Sequence, residues 1–196
     1  MSDSPKLTAL SGEISAQLFE NPRMGVPRAV YWSCNIEFAP IPDTSAATAD
    51  ENEGWACTLL CDWITWPVRD WRQIDGLTLA NCVGPMEVEA SLYLFNVHQP
   101  LTSIELAFRR TVTSKFRVRG RIVGDLEDLE GRALRDVSAN FEVDAEFTGL
   151  AVVPENLNPK PKSEERATQA LASHADLTAY EQPLRDKVGW LFRPRT

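Results

Sequence analysis

Residues Val137-Ser138-Ala139-Asn140-Phe141-Glu142-Val143-Asp144-Ala145-Glu146-Phe147 alternate between apolar and polar side chains without a break. Successive side chains of a strand point to opposite faces, so a period of two marks a sheet with one buried face and one wet face. Working outward, the alternation returns at Phe116, Val118 and Ile122, at Ile104, Leu106 and Phe108, and at Met86, Val88, Ala90, Leu92 and Leu94. One wet face is the habit of antiparallel sheets, since parallel strands are mostly buried on both faces.

Earlier in the chain, Val30, Trp32, Cys34, Ile36 and Phe38 alternate with Tyr31, Ser33, Asn35 and Glu37, and Glu13 to Phe19 reads as a first strand. Asn21 to Arg28, with Pro22, Gly25 and Pro27, reads as a loop. Pro40 to Gly54 reads as a long acidic loop. For Trp55 to Trp66 a spacing of four suits helix and strand alike. Asp50 and Glu53 have capping-box spacing, but Gly54, Cys57, Thr58, Ile64, Thr65 and the tryptophans favour a strand that Pro67 ends. Leu77 to Val83 reads as a further strand. His98 to Thr102 and Asp125 to Gly131 read as connections, and Gly149 as a bulge in a final strand reaching Val153.

Beyond it, Pro154 to Pro161 contains three prolines and reads as a linker. Ser163 is placed to cap a helix over 164–175, and Pro183 at a first helical position opens a second over 183–192. Its stripe is Leu184, Val188 and Leu191. The organisation expected is a β domain over 1–153, a Pro-rich linker over 154–162 and a helical tail over 163–196. The tail packs on the same domain or on a partner subunit.

A chain of 196 residues suits one such domain. The net charge is −8, and the last 37 residues carry +2, so the acidic body carries −10. That balance argues against nucleic acid, which is bound through basic surface, and against anionic membranes. No apolar run reaches the roughly 18 residues of a membrane span. The start Met1-Ser2-Asp3-Ser4-Pro5-Lys6 lacks the features of a secretory signal. A cytoplasmic location is therefore expected.

Several groups are candidates for chemistry. Trp55, Trp63, Trp66 and Trp71 fall within seventeen residues and, with Trp32, form the set expected to line a pocket for an apolar or aromatic ligand. Core filling is the competing and commoner use of such rings. Trp71, beyond Pro67 and between Asp70 and Arg72, is the one on a loop. Lys115, Arg117, Arg119 and Arg121 share a strand face, with Arg109 and Arg110 nearby. They suit anion recognition, but a charge ladder against Glu142, Asp144 and Glu146 accounts for them better. Placing Phe116 opposite Val143 sets Arg117 against Glu142 and Arg119 against Asn140; a slip of two residues sets Arg119 against Glu142.

Cys34, Cys57, Cys61 and Cys82 lack zinc-ligand spacing and read as buried reduced thiols. His98 and His174 have no local motif. Phosphate loops, nucleophile elbows and His-Glu-x-x-His are absent. Glu37, Asp62, Asp70 and Asp75 lie near aromatic segments, where desolvation makes acid–base pairs.

The fold expected is mainly β: an antiparallel β sandwich or partly closed barrel of about eight strands with a C-terminal helical segment. The alternative is an α+β open sheet covered by helices. The first functional expectation is a noncatalytic binding domain for a small apolar ligand in a Trp-lined cavity, with no cofactor and no metal. The second is a protein-interaction or assembly subunit, including a homodimer, docking through Leu184, Val188, Trp190, Leu191 and Phe192. A metal-independent hydrolase or isomerase using buried carboxylates comes third.

Overall fold

A computed structural model describes residues 7–42, 54–80, 88–94, 97–127 and 133–196. The acidic stretch 43–53, residues 81–87 with Cys82 and Met86, and residues 128–132 lie outside the described residues, as do the expectations that fall on them.

The described strands are β1 (Ala9–Asn21), β2 (Val26–Pro42), β3 (Gly54–Ile64), β4 (Thr78–Ala80), β5 (Glu89–Leu94), β6 (Val97–Pro100), β7 (Ser103–Arg110), β8 (Lys115–Glu127), β9 (Ala133–Val152), β10 (Leu184–Arg185) and β11 (Trp190–Phe192). They belong to one sheet with the order β4-β7-β8-β9-β1-β2-β3-β5-β6. β11 pairs with the end of β9, and β10 with β11. Neighbours run antiparallel except β1 and β9, which are parallel. The sheet is mainly β in the manner expected and curls into an open half-barrel, with one α-helix near the C-terminus.

Curling follows from the alternation. Ile14, Leu18, Trp32, Ile36, Leu59, Leu92, Ile104, Phe116, Val118 and Phe147 are all buried and converge on one core. Burying one face of a long sheet without a second sheet requires it to bend around that face. Gly149, with φ +141°, supplies the expected bulge. Ile14 faces Phe147 but Ser15 faces Gly149, leaving Thr148 as the extra residue.

The curl is completed differently at its two ends. At one, β6 runs through Leu101 and Thr102 into β7. Leu101 N–H still donates to Ala90 O of the β5 side (3.3 Å), and Thr102 N–H already donates to Val123 O of β8 (2.9 Å). His98 to Pro100, expected to belong to the connection His98 to Thr102, are thus part of the strand β6. At the other end, Trp66 to Ile74 follows β3 in the chain and lies against β7. Gly76 N–H bonds Phe108 O (2.9 Å), Phe108 N–H bonds Leu77 O (3.0 Å), and Arg110 N–H bonds the Asp75 carboxylate (2.9 Å). The 3-10 turn Trp71–Ile74 begins with a capping box of Asp70 and Gln73 and buries Trp71 and Ile74.

Three expectations are corrected. Phe116 pairs with Ala145, Val118 with Val143 and Arg119 with Glu142, two residues from the first register considered. Parity cannot separate registers that differ by two. In the register adopted, Arg117 bonds both Asp144 and Glu142, and Arg119 bonds Glu142. Helix α1 (Glu164–Ala172) forms with Ser163 as its cap, as expected, but 183–192 is a hairpin and not a helix. Trp190, Leu191 and Phe192 pair with Val152, Ala151 and Leu150, and the Asp186 carboxylate takes the N–H groups of Val188 (2.9 Å) and Gly189 (2.7 Å) to make the turn. Available ladder bonds on β9 override local helix propensity. The apolar stripe consequently does not bury as a unit: Trp190 and Phe192 are buried, Leu191 is half-buried, and Leu184 and Val188 are 50% and 60% exposed. Trp71, expected on a loop, is only 2% exposed.

Candidate functional site

Inward parity and the segment Trp66 to Ile74, a plug against β7, bring together three of the five tryptophans expected to line a pocket. Trp32 of β2 lies 5.8 Å from Trp66 and 5.5 Å from Phe147, between ring centroids. Trp66 stands edge-on to Phe108 at 5.0 Å. Trp71 stacks on Phe147 at 5.9 Å and meets Phe116 edge-on, and Tyr180 closes the group against Phe147. Phe108, Phe116 and Phe147 were legible as inward strand residues but not as partners of the tryptophans; Tyr180 carried no signal.

The polar atoms of this cluster are treated unequally. Trp71 Nε1–H donates to Ala179 O at 2.9 Å. Trp32 Nε1 and Trp66 Nε1 are buried and have no hydrogen-bond partner among the described residues. Trp32 is 1% exposed, whereas Trp66 is half-buried. The Tyr180 hydroxyl is buried as well, and burial pushes its pKa well above the ordinary tyrosine value, so it stays protonated.

The remaining two tryptophans lie elsewhere. Trp63 has φ +61° in a bulge where Asp62 and Trp63 oppose Ser33 alone. That turns its ring to the outer face, edge-on to Phe19 at 4.8 Å and Tyr31 at 5.5 Å. Trp55 is half-buried and pairs with Ile41 at the far end of β3. None of the five lines either of two clefts formed by described residues. The larger, about 730 Å³, follows three cross-strand rows over β4, β7, β8 and β9 and includes Thr78, Glu105, Arg119, Arg121, Asn140 and Glu142. The smaller, about 490 Å³, lies between Phe19–Arg23 and Glu155–Lys160.

The basic stripe forms a ladder with the acids of β9. Arg117 Nε donates to Asp144 and its Nη1 to Glu142 (3.0 Å), and Arg119 Nε donates to Glu142; the Arg119 bond first and the Arg117 bond next hold Glu142, and the Arg117 bond holds Asp144, below the ordinary carboxylate range. The acid–base candidates do not converge. Asp70 caps the 3-10 turn, Asp75 holds the Arg110 N–H, and Glu37 accepts from Ser11 Oγ (2.7 Å). Cys34, Cys57 and Cys61 are buried, and burial pushes the Cys34 and Cys57 thiols up to about 12. His98 bonds Ser91 Oγ at 3.1 Å beside the Tyr93 ring. Burial is the main cause that lowers the His174 pKa. No group of three or more metal-ligating side chains occurs among the described residues. No described helix is long and apolar enough to cross a membrane.

These observations define a mainly β half-barrel with an aromatic interior. In comparisons with protein-family models, curated proteins and solved structures, no match to this chain was found.

Proposed function

We propose that this chain is a noncatalytic binding domain for a small apolar or aromatic ligand that carries a hydrogen-bond acceptor, held among the aromatic rings of the half-barrel interior. The observation that carries this reading is the pair of unpartnered indole donors, Trp32 Nε1 and Trp66 Nε1. A buried donor left unpaired costs about 1–3 kcal/mol. Trp71, in the same cluster, has its partner in Ala179. A ligand acceptor placed against the two indoles recovers that cost, while the surrounding rings supply the apolar contact that small-molecule sites use. Trp66, half-buried in the plug, is the member reachable from outside.

A suitable probe is 1-anilinonaphthalene-8-sulfonate, which joins apolar rings to a sulfonate acceptor. Saturable binding at one equivalent is expected, with the indole N–H resonances of Trp32 and Trp66 shifting and that of Trp71 unmoved. Trp66→Phe keeps a ring but removes the donor, and should weaken binding about tenfold, or 1.4 kcal/mol. Equal affinity for the native and substituted chains, or no binding to the native chain, overturns the reading.

The second reading, an assembly subunit, draws on Leu184 and Val188, exposed together on the β10–β11 hairpin. A homodimer through that hairpin gives a concentration-dependent mass in sedimentation that Val188→Asp abolishes.

A further inference from the structure

Gln99 is one of only two buried polar residues among those described, at 5% exposure. It belongs to β6, the last strand of the sheet path, which among the described residues has a ladder with β5 and none with β8. Its side chain nevertheless reaches β8. Gln99 Nε2 donates to Glu127 O at 3.0 Å, and Gln99 Oε1 accepts from Glu127 N–H at 2.7 Å. An amide group offering one donor and one acceptor to one residue's backbone reproduces what a paired strand residue would offer. The backbone N–H fixes which end of the amide is oxygen, since only Oε1 can accept from it.

This contact sits where the half-barrel closes. Two residues on, the chain leaves β5 and joins β8 at Leu101 and Thr102. Gly124 of β8 makes room for that corner: a Cβ there would stand 3.2 Å from Leu101 Cδ2 and 3.3 Å from Pro100 O. The seam lies at the end of β8 remote from Phe116, which packs on Trp71. It is thus separate from the aromatic cluster and independent of any ligand held there.

We propose that Gln99 is a latch, a side-chain substitute for a β-ladder that holds the edge strand β6 against β8, and that β6 swings away from this seam as a unit when the latch releases. Leu92, Leu94 and Leu126 are buried on the strands flanking the seam. Its opening is the route by which the inner face of the half-barrel meets solvent without unfolding of the β8–β9–β1–β2 wall. The seam is suited to this because two hydrogen bonds from one flexible side chain replace a ladder, and local opening follows the weakest set of contacts.

Amide hydrogen exchange tests the latch in the full chain. In the native protein, the Thr102 N–H, which adjoins the seam and has Val123 O of β8 as its acceptor, is expected to exchange at least tenfold faster than the N–H groups of Val143 and Ala145 in β9. Equal rates for the two groups overturn the proposal. Gln99→Met keeps the length and removes both bonds, and Gln99→Glu keeps an acceptor and removes the donor. Each should speed exchange at Thr102 as well as at Glu127 at least tenfold further, with β9 unchanged. Acceleration confined to the Glu127 N–H means that Gln99 merely satisfies that one group, and the latch is wrong.

Discussion

The Glu20 carboxylate organises the junction of β1, β2 and the chain that follows β9. It accepts from the Arg28 guanidinium and from the Asn158 N–H, while Arg28 also donates to Asn158 O at 2.7 Å. Its side chain is 12% exposed, so these are shielded charge-assisted bonds rather than a surface pair. The Arg28 hydrogen bond first, and the Asn158 N–H next, hold its pKa below the ordinary carboxylate value. A depressed folded-state pKa contributes stability that is present above the unfolded pKa and lost as pH falls through the folded one. Glu20→Gln is therefore expected to cost about 1–2 kcal/mol at neutral pH. That difference should shrink as the pH drops below the carboxylate range, because the native side chain then also becomes neutral. Urea melts of both chains at neutral and acid pH measure it; a difference that does not change with pH contradicts the assignment.

At the scale of elements, the C-terminal hairpin separates apolar residues that carry stability from those that do not. Trp190 and Phe192 are buried against β9, and the Arg185 guanidinium lies 4.2 Å from the Trp190 ring centroid. Leu184 and Val188 face outward. Trp190→Ala is expected to cost about 3–5 kcal/mol, while Leu184→Ser and Val188→Ser stay within about 0.5 kcal/mol. Thermal melts distinguish them, and a large loss at Val188 would place the hairpin wrongly. The same elements show what local sequence encodes. Inward parity was readable on β2, β5, β7, β8 and β9 because each strand packs one face on the core. The hairpin was not readable, since Leu184, Val188 and Leu191 satisfy a helical spacing and only the free edge of β9, set by distant pairing, makes them strands. Trp63 escaped for a related reason: its spacing from Leu59 places both on one face, and a bulge opposite Ser33 undoes that. Gln99 carries no pattern at all. Its role exists only where β6 meets β8. Of the candidate site, Trp32 was legible as inward-facing, whereas the unpartnered state of its indole depends on rings brought in from the segment after β3, from β7 and from β9.

Across the whole molecule, barrel and tail share one core. The hydrophobic cluster that contains Ile14, Ile36 and Phe116 also contains Ala167, Leu171, Ala179, Tyr180, Trp190 and Phe192. The tail is fastened to the plug as well as to β9. Arg69 Nη2 donates to Ala172 O (2.9 Å), Asp176 N–H donates to Arg69 O (2.7 Å), and Trp71 Nε1–H donates to Ala179 O. Truncation after Pro161 therefore strips the buried Trp190, Phe192 and Tyr180, leaves the Trp71 indole unpaired and exposes the edge of β9 at Leu150–Val152. Each large aromatic removed from a core is worth about 3–5 kcal/mol, and three of them match the roughly 5–15 kcal/mol that holds a domain folded. The truncated chain is expected to aggregate or to lose its cooperative melt, while the full chain melts in one transition seen alike by tryptophan fluorescence and by backbone circular dichroism. A truncated chain that remains monomeric, soluble and equally stable contradicts a shared core. A native dimer that becomes a stable monomer on truncation instead assigns the tail to assembly, because Tyr180, Trp190 and Phe192 would then have joined two chains and not the two ends of one.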